Sequence, residues 1–300
     1  MDMSNYAFSS GCAGPRARIP RHACDCHIHV YDGVYPAAPG ARLLPPDASI
    51  AQYRALQRRL GLTRAVLVTP STYGSDNRSM LAGLRQLGTA GRGVAVIDGQ
   101  ECDSALQTLH DTGVRGVRLN LSLGVVGSID MLEPLAARIA ELGWHLQLLM
   151  SADQLAALRE RLLRLPAQLV LDHMGRLGPG AANRHPAHAL VLHLLREGRA
   201  WIKLSGGYLL SRSGSVSDPA LDELARSYIS AAPRRVIWGS DWPHATASAG
   251  RQPMPDDAEQ LDRLAHWAAD DSLFKQILVG NPEDLYGFDG FPPEDLPETV

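Results

Sequence analysis

Lysine is almost absent from this chain. Lys203 and Lys275 are the only two in 300 residues, and arginine supplies the rest of the 29 basic side chains. Set against 32 acidic residues, this leaves a formal net charge of −3. No basic face able to neutralise a run of phosphates is implied, so nucleic acid is not an expected partner. Charges are dispersed, with no long like-charge block. Cysteine is scarce too: Cys12, Cys24, Cys26 and Cys102, with no CxxC pair. Two cysteines two apart on a strand do not bridge comfortably, so reduced thiols and a cytoplasmic location are expected. Long apolar runs are missing as well. None approaches the roughly 18 residues of a membrane helix, and residues 1–21 lack a signal-peptide apolar stretch. Neither a GxGxxG turn after the first strand nor a GxSxG nucleophile motif occurs, which weighs against a dinucleotide fold and a serine hydrolase.

What is present alternates. Short β-branched runs at 24–30, 64–69, 93–98, 116–120, 145–150, 169–173, 201–205 and 235–241 read as eight strands. Helical patterns fill the gaps, including 50–61 ending on Gly61, 77–88 capped by Asn77, 131–143, 153–165, 217–233 capped by Ser217, and 256–268. Eight strands alternating with helices predict an α/β chain folded as a single (β/α)8 barrel. The expected organisation is a flexible leader at 1–22, a barrel at 23–289 and a tail at 290–300.

Barrel enzymes carry their chemistry at the C-terminal ends of the strands. Here those ends collect His27 and His29, then Ser71, Thr72 and Tyr73, then Arg118 and Asn120, then His173 and Arg176, and finally Asp241 and His244. Strand alternation places Asp25, His27 and His29 on one face. It sends Cys24 and Cys26 to the other, packed outward under a helix. The stretch ACDCHIHVYD therefore reads as two imidazoles at a strand end rather than a Cys/His zinc clip. Asp172 is expected to point away from His173 as a structural acceptor. Asp25 is expected to serve structure, and Lys203 faces inward or outward according to register. The three hydroxyl residues 71–73 serve equally as turn chemistry or as substrate contacts. His244 either orients Asp241, touches substrate, or sits at the rim.

The segments DCHIHVYD, LDHMGR, WGSDWPH and NPEDLYGF, in this order, resemble the amidohydrolase superfamily. Within it they are most similar to the branch of 2-pyrone-4,6-dicarboxylate lactonase and related sugar-lactone hydrolases and isomerases, over residues 23–289. The resemblance implies a (β/α)8 barrel in which Asp241 is the general base and His27, His29 and His173 polarise a lactone carbonyl. It implies that Arg118 holds a substrate carboxylate, with Ser71, Thr72, Tyr73, Asn120, Arg176 and His244 as further substrate contacts. The expected partner is a small lactone, acted on by a monomer or small homo-oligomer. An isomerase on the same site, a zinc-dependent decarboxylase and a non-catalytic sugar-acid barrel are the alternatives.

Three positions depart from the lactonase pattern. Gly124 replaces an arginine, Leu149 replaces a tyrosine, and SGGYLLSR (205–212) follows the seventh strand, with Arg212 or Tyr208 as possible substitutes for another arginine. Fewer cationic anchors suggest one carboxylate and several hydroxyls on the substrate. No cofactor is favoured. If a metal is used, the expected site is one zinc held by His27, His29, His173 and Asp241.

Overall fold

The computed structural model describes residues 6–122 and 127–288. Eight strands run parallel, each paired with the next in chain order. They are β1 (Cys24–Ile28), β2 (Arg64–Val68), β3 (Gly91–Ala95), β4 (Val114–Asn120), β5 (His145–Leu149), β6 (Leu169–Leu171), β7 (Ala200–Leu204) and β8 (Val236–Trp238). The ring closes where β1 meets the end of β8. Ile28 bridges to Trp242, Asp241 N donates to His27 O at 2.9 Å, and His29 N donates to Trp242 O at 2.8 Å. Helices fill every crossover from β2 onward, and Ile50–Leu60 lies between β1 and β2. This is the (β/α)8 barrel that the alternation predicts. Among the described residues, no helix is long and apolar enough to cross a membrane.

Most expected elements fall within a few residues of their positions, and the exceptions have local causes. β3 begins at Gly91 rather than at 93. Its two glycines let the helix Arg78–Leu87 press close: a Cβ at Gly93 would lie 2.8 Å from a Leu84 methyl. Glycine hides a strand from propensity. The helix expected over 153–165 breaks at Leu158 into Ala152–Ala157 and Arg159–Leu162. Asn77 precedes its helix but does not cap it; its amide instead clamps Val96, accepting from the N–H at 2.9 Å and donating to the carbonyl at 2.8 Å. Asp218, not Ser217, caps the turn Pro219–Leu221 that leads into Asp222–Ala231. The described part of the leader is not loose. The Trp242 indole donates to Ala7 O at 3.0 Å, Phe8 meets the Trp242 ring edge-on, and Arg16 pairs with Asp262. The tail 290–300 lies outside the described residues.

Two apolar regions result. The larger packs the outer strand faces, such as Ile28, Leu67, Leu146 and Ile202, against the helices. The smaller fills the barrel lumen with Val66, Val68, Val94, Val170, Trp201 and Ile237, and Tyr286 and Phe288 pack against it. Cys24 and Cys26 belong to this lumen cluster, as free thiols, and not to the layer under the helices. Simple alternation fails here because β1 carries one extra residue. Asp25 pairs with Ala65 but Ile28 pairs with Leu67, three residues against two. Such a bulge reverses the facing of everything beyond it. Cys24 and Cys26 face inward before the bulge, and His27 and His29 face inward after it. Asp25 does not share the histidines' face. It turns outward and accepts from Tyr53 Oη, Ser240 N, Ser240 Oγ and His27 N at 2.6–3.2 Å. The structural role expected for Asp25 holds, in a different place.

Closure at β1 and β8 requires glycine. A Cβ at Gly239 would lie 2.6 Å from His27 Cβ and 2.8 Å from His27 backbone N. Gly239→Ala is expected to cost about 1–3 kcal/mol of stability through overpacking, and to lower activity further by displacing His27. Thermal denaturation beside an activity assay checks this. Unchanged values for both would contradict so tight a contact.

Candidate active site

Asp241 leaves β8 in the left-handed region, at φ +71°, which swings its carboxylate over the lumen mouth. Three imidazoles meet it there. Oδ1 lies 3.6 Å from His27 Nε2, 3.9 Å from His29 Nε2 and 3.8 Å from His173 Nε2. Tyr208 Oη donates to Oδ2 at 2.7 Å. Burial opposes charge on Asp241, but attraction from His173, His27 and His29, with the Tyr208 hydrogen bond, outweighs it and holds the carboxyl at about 2. The group is therefore an ionised acceptor at neutral pH. Burial, with Arg118 nearby, draws His29 down to about 4; burial likewise holds His27 well below the ordinary histidine value and lowers His173. The carboxylate is charged and its imidazole neighbours are neutral.

His173 reaches this point by an unusual path. β6 ends at Leu171, and His173, Met174, Gly175 and Arg176 all take positive φ. Left-handed backbone at non-glycine residues is costly and is held here by its surroundings. Tyr228 Oη donates to Met174 O at 3.1 Å, and His173 Nδ1 lies 2.9 Å from Ser205 Oγ. The turn also overturns the expectation for Asp172. It does not point away from the site but lies under the imidazoles, 3.3 Å from His27 Nδ1, with Oδ2 accepting from Arg118 Nε and Gln147 Nε2 at 3.1 Å each. Lys203 faces inward and is fully buried, its Nζ 3.2 Å from His27 Nδ1 and 2.8 Å from Gln147 Oε1.

Hydrogen-bond partners set the ring polarities. His29 Nδ1 lies 2.7 Å from Val68 O. A carbonyl only accepts, so Nδ1 carries the hydrogen and Nε2 of neutral His29 carries the lone pair. His29 is thus an acceptor toward the site. His27 Nδ1 lies 3.2 Å from Lys203 Nζ, a donor, and 3.3 Å from Asp172 Oδ1, an acceptor, and its Nε2 lies 3.3 Å from the His29 lone pair. His173 is compatible with either tautomer, because a serine hydroxyl both donates and accepts.

Above these groups opens a cavity of about 210 Å³. His29, His173, Asp241, Arg118, Asn120, Arg176, Ser71 and Thr72 line it, as do Tyr31, Arg42, Leu43, Ser122, Leu149, Leu209, Thr246 and Arg251. Of the expected contacts, Ser71 accepts from Asn120 Nδ2 at 2.7 Å, and Thr72 donates to Leu43 O at 2.8 Å. Three expected site residues are not among the lining residues: His27, which is fully buried, Tyr73 and His244. Tyr73 Oη ties the loop after β1 by bonding both Asp32 N and Asp32 O. His244 is buried behind Asp241, paired with Asp257 at 3.2 Å, which raises it above the ordinary value against the opposing effect of burial. Gly124 lies outside the described residues. Leu149 does face the cavity, but Arg212 does not line it and Tyr208 serves Asp241. Arg42, Arg176 and Arg251 stand with Arg118 instead. Among the described lining residues, four arginines face a single carboxylate, Asp241.

The amidohydrolase family profile matches residues 24–288, which takes in every element of this barrel. The chain belongs to the amidohydrolase family. It is 37% identical over 284 residues to a 2-pyrone-4,6-dicarboxylate hydrolase of Comamonas testosteroni, covering 91% of this chain and 92% of that one. It is 31% identical over 288 residues to a D-galactarolactone isomerase of Agrobacterium fabrum, covering 95% and 97%. A crystal structure from Agrobacterium tumefaciens in its apo form superposes with a TM-score of 0.84 at 29% identity, covering 92% of this chain and all of that one.

In this amidohydrolase, His27, His173 and Asp241 offer possible metal-ligand atoms within 4.8 Å of one another. The distances and the nitrogen and oxygen donors admit one zinc. Sequence reasoning missed Arg42, Arg251, Tyr31 and Gln147. Tyr31 was within reach, being two residues past His29; the loop arginines carry no motif.

The Tyr208 hydrogen bond is open to direct test. Tyr208→Phe is expected to lower kcat/KM about tenfold or more, because a hydrogen bond to a charged group contributes about 1.5–3 kcal/mol. Steady-state kinetics beside wild type would reveal it; an unaltered kcat/KM would separate Tyr208 from the reaction.

Proposed function

We propose that this protein hydrolyses the ester bond of a carboxylated lactone, with Asp241 as general base. The observation that carries the reading is the convergence of three imidazole Nε2 atoms on one ionised carboxylate oxygen, beneath an arginine-lined cavity. Asp241 takes a proton from a water molecule, and His29 Nε2 accepts that water's second hydrogen. The water oxygen bonds to the lactone carbonyl carbon. His27 and His173 donate from Nε2 to the carbonyl oxygen and stabilise the oxyanion. The ring C–O bond then breaks, and Asp241 returns its proton to the leaving oxygen. A lactone is an activated ester, so a carboxylate base and imidazole donors suffice without a cofactor. This assigns His29 a different task from His27 and His173, although the resemblance grouped all three as polarising residues.

The substrate class follows from charge. Arg118, Arg176, Arg42 and Arg251 fit a lactone bearing more than one anionic group, since each guanidinium can grip a carboxylate with two parallel hydrogen bonds. The reduced cationic supply inferred from Gly124 and the 205–212 segment is replaced from other loops. The names of the relatives, a pyrone dicarboxylate hydrolase among them, support the same class.

Asp241→Asn is expected to retain substrate binding and to lose about 10²–10⁴-fold in turnover. Hydrolysis run in isotopically labelled water should place one label in the new carboxylate. An unlabelled, isomerised lactone would replace hydrolysis with ring migration. In a panel, dianionic lactones are expected to outperform monoanionic sugar-acid lactones, and the reverse order would remove the arginine argument.

The pH profile has a definite sign. His29 works as a neutral acceptor, and its value is lowered to about 4, so protonation removes activity only as pH falls through that region. Asp241, at about 2, stays ionised there. On the acid side, kcat/KM is expected to be level down to about pH 5 and to fall below it. An acid limb near the ordinary histidine value would contradict the neutral-ring site.

A further inference from the structure

We infer that buried Lys203 is a positioning residue that fixes the tautomer of His27, making it a carbonyl donor and a poor metal ligand. Lys203 is fully buried on β7, with Nζ 2.8 Å from Gln147 Oε1 and 3.2 Å from His27 Nδ1. The orientation of Gln147 is itself set, because its Nε2 donates to Asp172 Oδ2 at 3.1 Å, leaving Oε1 toward the lysine. Asp172 Oδ1, 3.7 Å from Nζ, favours the charged form of the lysine, and an ammonium under this ring can only give a hydrogen to Nδ1. The other end of the chain demands the same polarity. Val68 O takes the Nδ1 hydrogen of His29, so His29 Nε2 is a lone pair, and it lies 3.3 Å from His27 Nε2.

The competing arrangement has His27 Nδ1 donate to Asp172 Oδ1, 3.3 Å away. It would set a His27 lone pair against the His29 lone pair and against Asp241 Oδ1 at 3.6 Å. Asp172 Oδ1 has the Lys203 ammonium 3.7 Å away as its cationic neighbour. One directional series therefore runs from Lys203 through His27 and His29 to Val68. With its Nε2 protonated, His27 has no lone pair to offer an ion between itself, His173 and Asp241, although the distances there admit one.

The inference rests on the reading of His27 as a carbonyl donor, but its tests read a ring nitrogen and a metal rather than turnover. Nitrogen-15 NMR of the histidine side chains in the full-length protein should show His27 hydrogen-bearing at Nε2 and His29 hydrogen-bearing at Nδ1. Lys203→Met should shift His27 toward the Nδ1 tautomer. Zinc binding, titrated against a fluorescent chelating indicator, should be at least about tenfold tighter in Lys203→Met than in wild type, the scale on which outer partners of ligand histidines act. A wild-type His27 carrying its hydrogen on Nδ1 overturns the inference outright, even if the variant does not fold. A folded variant with unchanged tautomer or unchanged zinc affinity overturns the role of Lys203.

Discussion

The extra residue in β1 brings both histidines of the first strand into the lumen, and much of the site depends on it. Before the bulge the inward positions hold Cys24 and Cys26, which pack among valines and Trp201 at the barrel floor. After it they hold His27 and His29. A regular strand would have had to choose one set, because a shift of one residue reverses every side chain. The bulge is held from both sides. Asp25 anchors it outward through Tyr53 and Ser240, and glycine at 239 lets β8 approach His27 closely enough for Asp241 N to bond its carbonyl. Asp241 and the two first-strand imidazoles are thus positioned by the same contact.

Below the imidazoles the lumen departs from an apolar core. Lys203, Gln147, Asp172 and Arg118 are all buried, and burying charge is costly unless each group is paired. Here the pairing also has direction. Arg118 and Gln147 hold Asp172, which His27, Lys203 and Arg118 keep well below the ordinary carboxylate value against the effect of burial. Lysine is almost missing from this chain, and one of its two copies lies at this spot. On the proposed reading this makes a division of labour among similar side chains: one imidazole accepts, one donates, and the carboxylate between them remains ionised.

Much of this was legible in the sequence. The eight-strand alternation implies the barrel, and the strand ends collect His27, His29, His173, Arg118 and Asp241. What alternation could not supply was the bulge, because one extra residue leaves no compositional mark; Cys24, Cys26 and Asp25 were therefore assigned to the wrong faces. Asp172 was misplaced for a related reason. The strand rule was carried on to His173, where the backbone has already turned left-handed, while Asp172 is still extended. Arg42 and Arg251 were invisible because they come from long loops, where position depends on tertiary packing rather than on local periodicity. Tyr73 and His244 show the opposite error, since polar residues near a strand end were read as contacts when the loops themselves needed them.

The central claim is that two of the three imidazoles give hydrogens to the substrate carbonyl while the third accepts from water beside Asp241. A crystal structure of the Asp241→Asn variant holding an intact dianionic lactone tests it most directly. The account predicts the carbonyl oxygen within hydrogen-bond distance of His27 Nε2 and His173 Nε2, with substrate carboxylates on the cavity arginines. A carbonyl oxygen bound at His29 instead, or turned away from all three rings, would contradict it.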